Sequence, residues 1–189
     1  MKPVTVFCDL DGVIVDWMNA MAEYTNKPAN IYDEFYANPE SFCETRVDEL
    51  YGGRSKLKEL MLERPVEFWS DLKMFPWANK LICCLSLDFE LCFLTSPGSN
   101  PNAAKGKLIW QQTNFPSIPI IIAKQKSLVS APDKVLIDDN DRNLTLFDER
   151  GGLALKWPNQ FNMAKLEENE YDPLIDKYVE NIHLYENSL

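Results

Sequence analysis

Along the chain, uncharged strand-like runs alternate with stretches whose apolar residues recur at helical spacing. Val4-Thr5-Val6-Phe7-Cys8 reads as a buried strand and stops abruptly at Asp9-Leu10-Asp11-Gly12-Val13. Val13, Trp17, Met18, Met21 and Ala22 then keep a helical period, predicting a helix that begins near Asp16 with that aspartate as its N-cap. Residues 76–85 read as a helix, 89–94 as a buried strand ending at Thr95-Ser96-Pro97-Gly98, and 103–113 as another helix. Residues 118–122 form a β-branched strand pattern, 134–137 another that stops at Asp138-Asp139, and 153–156 a last one after Gly151-Gly152. Strands that are apolar throughout and alternate with helices predict an α/β fold, a Rossmann-like parallel sheet covered on both faces.

The pattern is interrupted once. From residue 27 to 65 the chain turns rich in Glu, Tyr, Phe and Asn, broken by Pro28, Pro39 and Gly52-Gly53. Val47, Leu50 and Tyr51, then Leu57, Leu60, Met61 and Leu62, look like pieces of amphipathic helix. The expected organisation is a core of residues 1–26 and 66–189 carrying a small helical cap over 27–65. Gly52-Gly53-Arg54-Ser55-Lys56 lacks the spacing and preceding strand of a phosphate loop, so it reads as a turn into a helix.

Composition narrows the chemistry. A length of 189 residues with 46% hydrophobic residues supports one core with a modest inserted module. No apolar run approaches the roughly 20 residues of a membrane span. Met1-Lys2-Pro3 leads straight into the first strand pattern with no leader-like segment, so the cytoplasm is the expected compartment. A net charge of −10 disfavours duplex nucleic acid, which needs dense Lys and Arg contacts, but leaves room for a small anion beside a metal ion. Cys8, Cys43, Cys83, Cys84 and Cys92 show no CxxC spacing, so neither a disulfide framework nor a zinc site is expected. His183 is the single histidine and lies near the C-terminus, which removes histidine-based nucleophilic triads. Any chemistry must run on carboxylates.

Polar residues gather just past strand ends, where open α/β sheets bind ligands: Asp9 and Asp11, Thr95 and Ser96, Lys126 (with Lys124 as its nearby competitor), then Asp138 and Asp139. In that order they resemble the haloacid dehalogenase (HAD) superfamily of phosphotransferases. The resemblance is closer to its 5′(3′)-deoxyribonucleotidases. Asp9-Leu10-Asp11-Gly12-Val13 with Asp16 and Trp17 looks like their first motif, Thr95-Ser96-Pro97 like their second, and Leu136-Ile137-Asp138-Asp139 like their last. Lys107-Leu108-Ile109-Trp110 matches a Lys-x-x-Trp helix between them. The likeness is faint within 27–65, where an aromatic expected near Leu62 is missing, and the Lys126-to-Asp138 spacing is longer than in the animal enzymes.

The resemblance implies a Mg²⁺-dependent phosphatase of nucleoside monophosphates that works through an aspartyl-phosphate. Asp9 would be the nucleophile and Asp11 the general acid and then base. Mg²⁺ would be held by the Asp9 carboxylate, the Asp11 backbone carbonyl and Asp139, while Asp138 orients Lys126 or a metal-bound water. Thr95 and Ser96 would bind the phosphoryl oxygens, and Lys126 would neutralise Asp9 and the transferring group. Trp17 is either core or a wall of the substrate site, and Trp69, Trp77 and Trp110 read as packing residues. The rival readings are a phosphatase for a sugar phosphate or a 3′-phosphate end, and a non-catalytic metal-binding or receiver-like regulator.

Overall fold

The computed structural model describes residues 4–189, so the reading of Met1-Lys2-Pro3 lies outside the described residues. Five strands form one parallel sheet: β1 (Thr5–Cys8), β2 (Glu90–Thr95), β3 (Ile120–Ile122), β4 (Lys134–Asp138) and β5 (Leu153–Lys156), in the order β3-β2-β1-β4-β5. The period of two decides which side chain faces which layer. Val6, Cys8, Leu91, Phe93, Val135 and Ile137 enter the larger core, whereas Phe7, Cys92, Leu94 and Leu136 enter a smaller one with Leu144 and Phe147. The three central strands are buried on both faces, as their near-continuous apolar sequences require.

The helices are α1 (Trp17–Tyr24), α2 (Asp33–Ala37), α3 (Glu44–Leu50), α4 (Arg54–Leu62), α5 (Val66–Ser70), α6 (Ala78–Asp88), α7 (Pro101–Asn114), α8 (Asp141–Asp148), α9 (Gln160–Met163) and α10 (Glu168–Glu186). Asp16 caps α1, accepting from the Asn19 N–H at 3.1 Å. Between residues 33 and 62 the chain forms α2, α3 and α4 joined by short turns, and the Gly52-Gly53 pair does lead into α4. The sequence pattern does not pick out α5, α8, α9 or α10, and the remaining differences lie at boundaries. The helix expected over 76–85 runs from Ala78 to Asp88, because Trp77 still holds the turn before it. Pro119 precedes β3, so that strand shortens to three residues at the sheet edge. In the acidic run Glu167-Glu168-Asn169-Glu170, Glu167 and Glu170 form a capping box that starts α10.

This order creates a functional crevice. The chain steps from β1 to β2 and β3 on one side, then crosses back to β4 on the other, so the switch point lies between β1 and β4. Cys8 pairs with Ile137 and with Phe93. The residues one step further along β1 and β4, Asp9 and Asp138, therefore emerge side by side.

Candidate active site

After β1 the backbone turns tightly: the N–H groups of Ile14 and Val15 both donate to the Leu10 carbonyl, at 2.8 and 2.9 Å. Gly12 has φ of +81°, a conformation side chains disfavour. A Cβ at this residue would lie 2.1 Å from Oδ2 of Asp139. The missing side chain is what lets the loop after β1 and the loop after β4 meet.

Two lysines organise the acids. Lys126, on a 3₁₀ turn after β3, puts Nζ 2.6 Å from Asp9 Oδ1 and 2.7 Å from Asp138 Oδ2, with its side chain 2% exposed. Burial alone would pull its pKa down, but Asp9 and Asp138 more than offset this and raise it. Lys124 is exposed and takes no part. Lys107, on α7, is equally buried and donates to Asp11 Oδ2, to Thr95 Oγ1 at 3.0 Å and to the Ser96 carbonyl at 2.8 Å. Its charge sits 5.4 Å from the centre of the Trp69 ring. α5 reaches α7 this closely because residue 106 is glycine; a Cβ there would be 2.4 Å from Trp69 Cβ and 2.6 Å from the Val66 carbonyl.

Lysine charge does not balance the carboxylates. Asp9, Asp138 and Asp139 bring ligand oxygens within 4.8 Å of one another. Burial, then Asp9, push the Asp138 carboxyl up to about 6, against the pull of Lys126. Burial, with Asp9 and Asp138 beside it, raises Asp139 well above the usual carboxylate range, and among the described residues no Lys or Arg lies within salt-bridge distance of it. A cluster of hard oxygens short of positive charge fits a hard divalent cation. Asp138 is further fixed by the Asn140 N–H at 2.9 Å and by Asn143 Nδ2. Burial also raises Asp11, with Lys107 opposing, and its Oδ1 is buried without a partner among the described residues.

The sequence-derived set thus converges: Asp9, Asp11, Thr95, Ser96, Lys126, Asp138 and Asp139 surround one crevice. Thr95 is fully buried at the end of β2. Trp17 is half-buried and lines, with Asp9, Asp11, Lys126, Asp139 and Phe42, a cavity of about 710 Å³ between the sheet and residues 39–44. Asn140, the N-cap of α8, also donates to Glu44 at the start of α3 across this cavity. On the far side, Asn100 Nδ2 donates to the carbonyls of Met61 and Arg64, at 2.9 and 2.8 Å.

Sequence reasoning missed Lys107 as a site residue, although it singled out the helix. The available signal was its register: Ala103, Lys107, Trp110 and Gln111 share the buried face of α7, where an unpartnered lysine would not be tolerated. Trp69 packs as expected, being 3% exposed, yet it also lines a second cavity beside Asp11.

The family described as 5′ nucleotidase, deoxy (pyrimidine), cytosolic type C protein matches residues 2–170. No curated protein matches the chain. Among solved structures, a haloacid dehalogenase-like family hydrolase from Xanthomonas campestris is similar at 12% identity over 100% of both chains, with a TM-score of 0.52. The HAD-hydrolase YfnB of Bacillus subtilis, bound to magnesium, is similar at 14% identity over 82% of this chain and 86% of its own, with a TM-score of 0.51. At such identities the structures speak for the fold alone, whereas the family match spans all five strands and every strand-end acid. The chain belongs to the deoxy (pyrimidine) cytosolic type C 5′ nucleotidase family, and its fold is like that of the haloacid dehalogenase-like hydrolases.

Proposed function

We propose that the chain is a Mg²⁺-dependent phosphatase of nucleoside monophosphates, with 5′(3′)-deoxyribonucleotides as its substrates and Asp9 as the nucleophile. The observation that carries this reading is Lys126 Nζ at 2.6 Å from Asp9 Oδ1, beside a carboxylate cluster whose oxygens lie within 4.8 Å. One Asp9 oxygen is thereby held and partly neutralised, and its carboxylate faces the crevice opposite Asp11.

Asp9 attacks phosphorus, and the bond to the leaving alcohol breaks as the aspartyl-phosphate forms. Asp11 gives its proton to that alcohol, then takes one from the water that hydrolyses the acyl phosphate and regenerates Asp9. Burial favours the protonated form that the first step needs, and the Lys107 contact steadies the carboxylate for the second. Thr95 and Ser96 offer donors to the phosphoryl oxygens, and Lys126 balances their charge. Mg²⁺, carried by Asp9, Asp139 and the Asp11 carbonyl, would supply the charge that lets two anions approach; Asp138 keeps Lys126 in position. The bound magnesium of YfnB is in keeping with this cofactor.

Residues 27–65 act as a cap that excludes water from the crevice, and Trp17 with Phe42 forms an aromatic wall for the nucleobase in the larger cavity. No helix among the described residues is long and apolar enough to cross a membrane, and we infer a cytoplasmic enzyme acting on small molecules. A sugar-phosphate substrate is favoured by one observation only, that residue 62 at the smaller cavity is leucine, which leaves Trp69 as the one aromatic ring in its lining. The test is phosphate release from dUMP, dTMP and a panel of sugar phosphates with and without Mg²⁺. Turnover confined to the nucleotides supports the reading; a flat profile, or none with Mg²⁺, removes it.

A further inference from the structure

Each carboxylate of the crevice has its own support, and Asp139 has the least. Asp9 accepts from the Leu10 N–H at 2.7 Å and from Lys126 at 2.6 Å. Asp11 accepts from Lys107, and Asp138 from Lys126, the Asn140 N–H and Asn143. Among the described residues the Asp139 carboxylate accepts no hydrogen bond, and its backbone carbonyl accepts one, from Lys156 Nζ. The same ammonium pairs with Asp141 Oδ1 at 2.8 Å, in the first turn of α8. It therefore bridges the loop that carries Asp139, from one side of Asn140 to the other.

The footing of this bridge is firm. Lys156 ends β5 in register with Asp138 at the end of β4. The next residue, Trp157, donates its N–H to the Asp138 carbonyl at 2.9 Å, and Tyr178 on α10 donates its hydroxyl to the Lys156 carbonyl. Gly12, by contrast, makes room for the Asp139 carboxylate but holds nothing of it, since its own N–H goes to the Val15 carbonyl at 3.0 Å. What fixes Asp139 comes from β5.

We propose that Lys156 is a positioning residue for the divalent cation: by holding the Asp139 carbonyl, it presents the Asp139 carboxylate to the ion. The inference rests on the metal reading above, in which Asp139 is a ligand, and adds a residue of β5 to that centre. Charge and position act here in opposite directions. An ammonium near a divalent cation repels it, so a Lys156 that acted by charge alone would weaken Mg²⁺ binding, and its removal would tighten it. The side chain is 47% exposed, so solvent and salt screen that repulsion. Losing an outer partner that orients a ligand weakens a metal site by about 10–100-fold. Position outweighs charge.

Calorimetry of Mg²⁺ binding to the substrate-free protein tests this in the unaltered chain, in Lys156→Met and in Lys156→Arg. Lys156→Met raises the Kd about tenfold. Lys156→Arg, which keeps a donor for both partners, recovers most of that loss. An exposed ion pair adds little to the fold, so the metal-free melting temperature of Lys156→Met stays within about 4 °C of the unaltered protein. A Kd that Lys156→Met leaves alone or lowers, a loss that Lys156→Arg does not recover, or a larger fall in melting temperature overturns the inference and leaves the metal reading standing. Absence of Mg²⁺ binding in the unaltered protein removes the metal reading, and this inference with it.

Discussion

Oδ2 of Asp139 stands 2.1 Å from the point where a Cβ on Gly12 would be. The loop bearing Asp9 and Asp11 and the loop bearing Asp138 and Asp139 are in contact through a hydrogen atom, and any side chain separates them. Gly12→Ala should displace Asp139, with the added strain of a φ of +81°. The expected result is at least a ~10-fold weaker Mg²⁺ requirement curve, read by titrating Mg²⁺ against phosphate release. An unchanged half-saturation point would mean that Asp139 does not hold the ion.

Asp9→Asn keeps the shape of the residue and removes its nucleophilic charge. Turnover of dUMP or dTMP should drop by at least about 10³-fold with little loss of fold. Phosphate release and the circular dichroism spectrum measured on one preparation check both halves.

Lys126 is the one ammonium between Asp9 and Asp138, at 2.6 and 2.7 Å. Lys126→Met leaves two buried carboxylates facing each other, and breaking a buried pair in this way costs roughly 3–5 kcal/mol. Urea denaturation without metal should show that loss, and Mg²⁺ should restore part of it.

The metal-free protein should have an inverted pH dependence at this site. The Asp138 carboxyl is raised from 3.8 to about 6, so the folded state holds a proton that the unfolded chain has released. Its contribution to stability is complete below 3.8 and is lost as pH rises through about 6, with Asp139 extending the loss upward. Melting temperatures without Mg²⁺ should therefore fall relative to those with Mg²⁺ as pH climbs from 4 to 7. Asp138→Asn should flatten the difference; a gap independent of pH would refute the assignment.

Lys107 lowers the Asp11 pKa against the effect of burial. Lys107→Gln removes that opposition, so Asp11 holds its proton to higher pH and is less available as a base. The acidic limb of the kcat profile should move upward, whereas a purely structural role would lower kcat at every pH alike.

The fold was legible because its three central strands are apolar on both faces, so their order of appearance, and the acids that end them, stand out against everything else. Asp9, Thr95 and Asp138 needed only the rule that parallel sheets bind ligands at their carboxyl ends. Lys107 was legible only as a lysine on the buried face of α7, because what it is aimed at depends on a contact, Gly106 against Trp69, that no local pattern encodes. The strand ends of β2 and β4 each extend one residue past the expected boundary, since Thr95 and Asp138 are polar yet still paired in the sheet.

Asn100 grips the carbonyls of Met61 and Arg64 with one amide, only a few residues beyond Thr95-Ser96-Pro97-Gly98. The return leg of the helical segment is thus fastened to the strip of chain that would cradle phosphate. Any displacement of that segment would have to break these two hydrogen bonds or carry the strip with it.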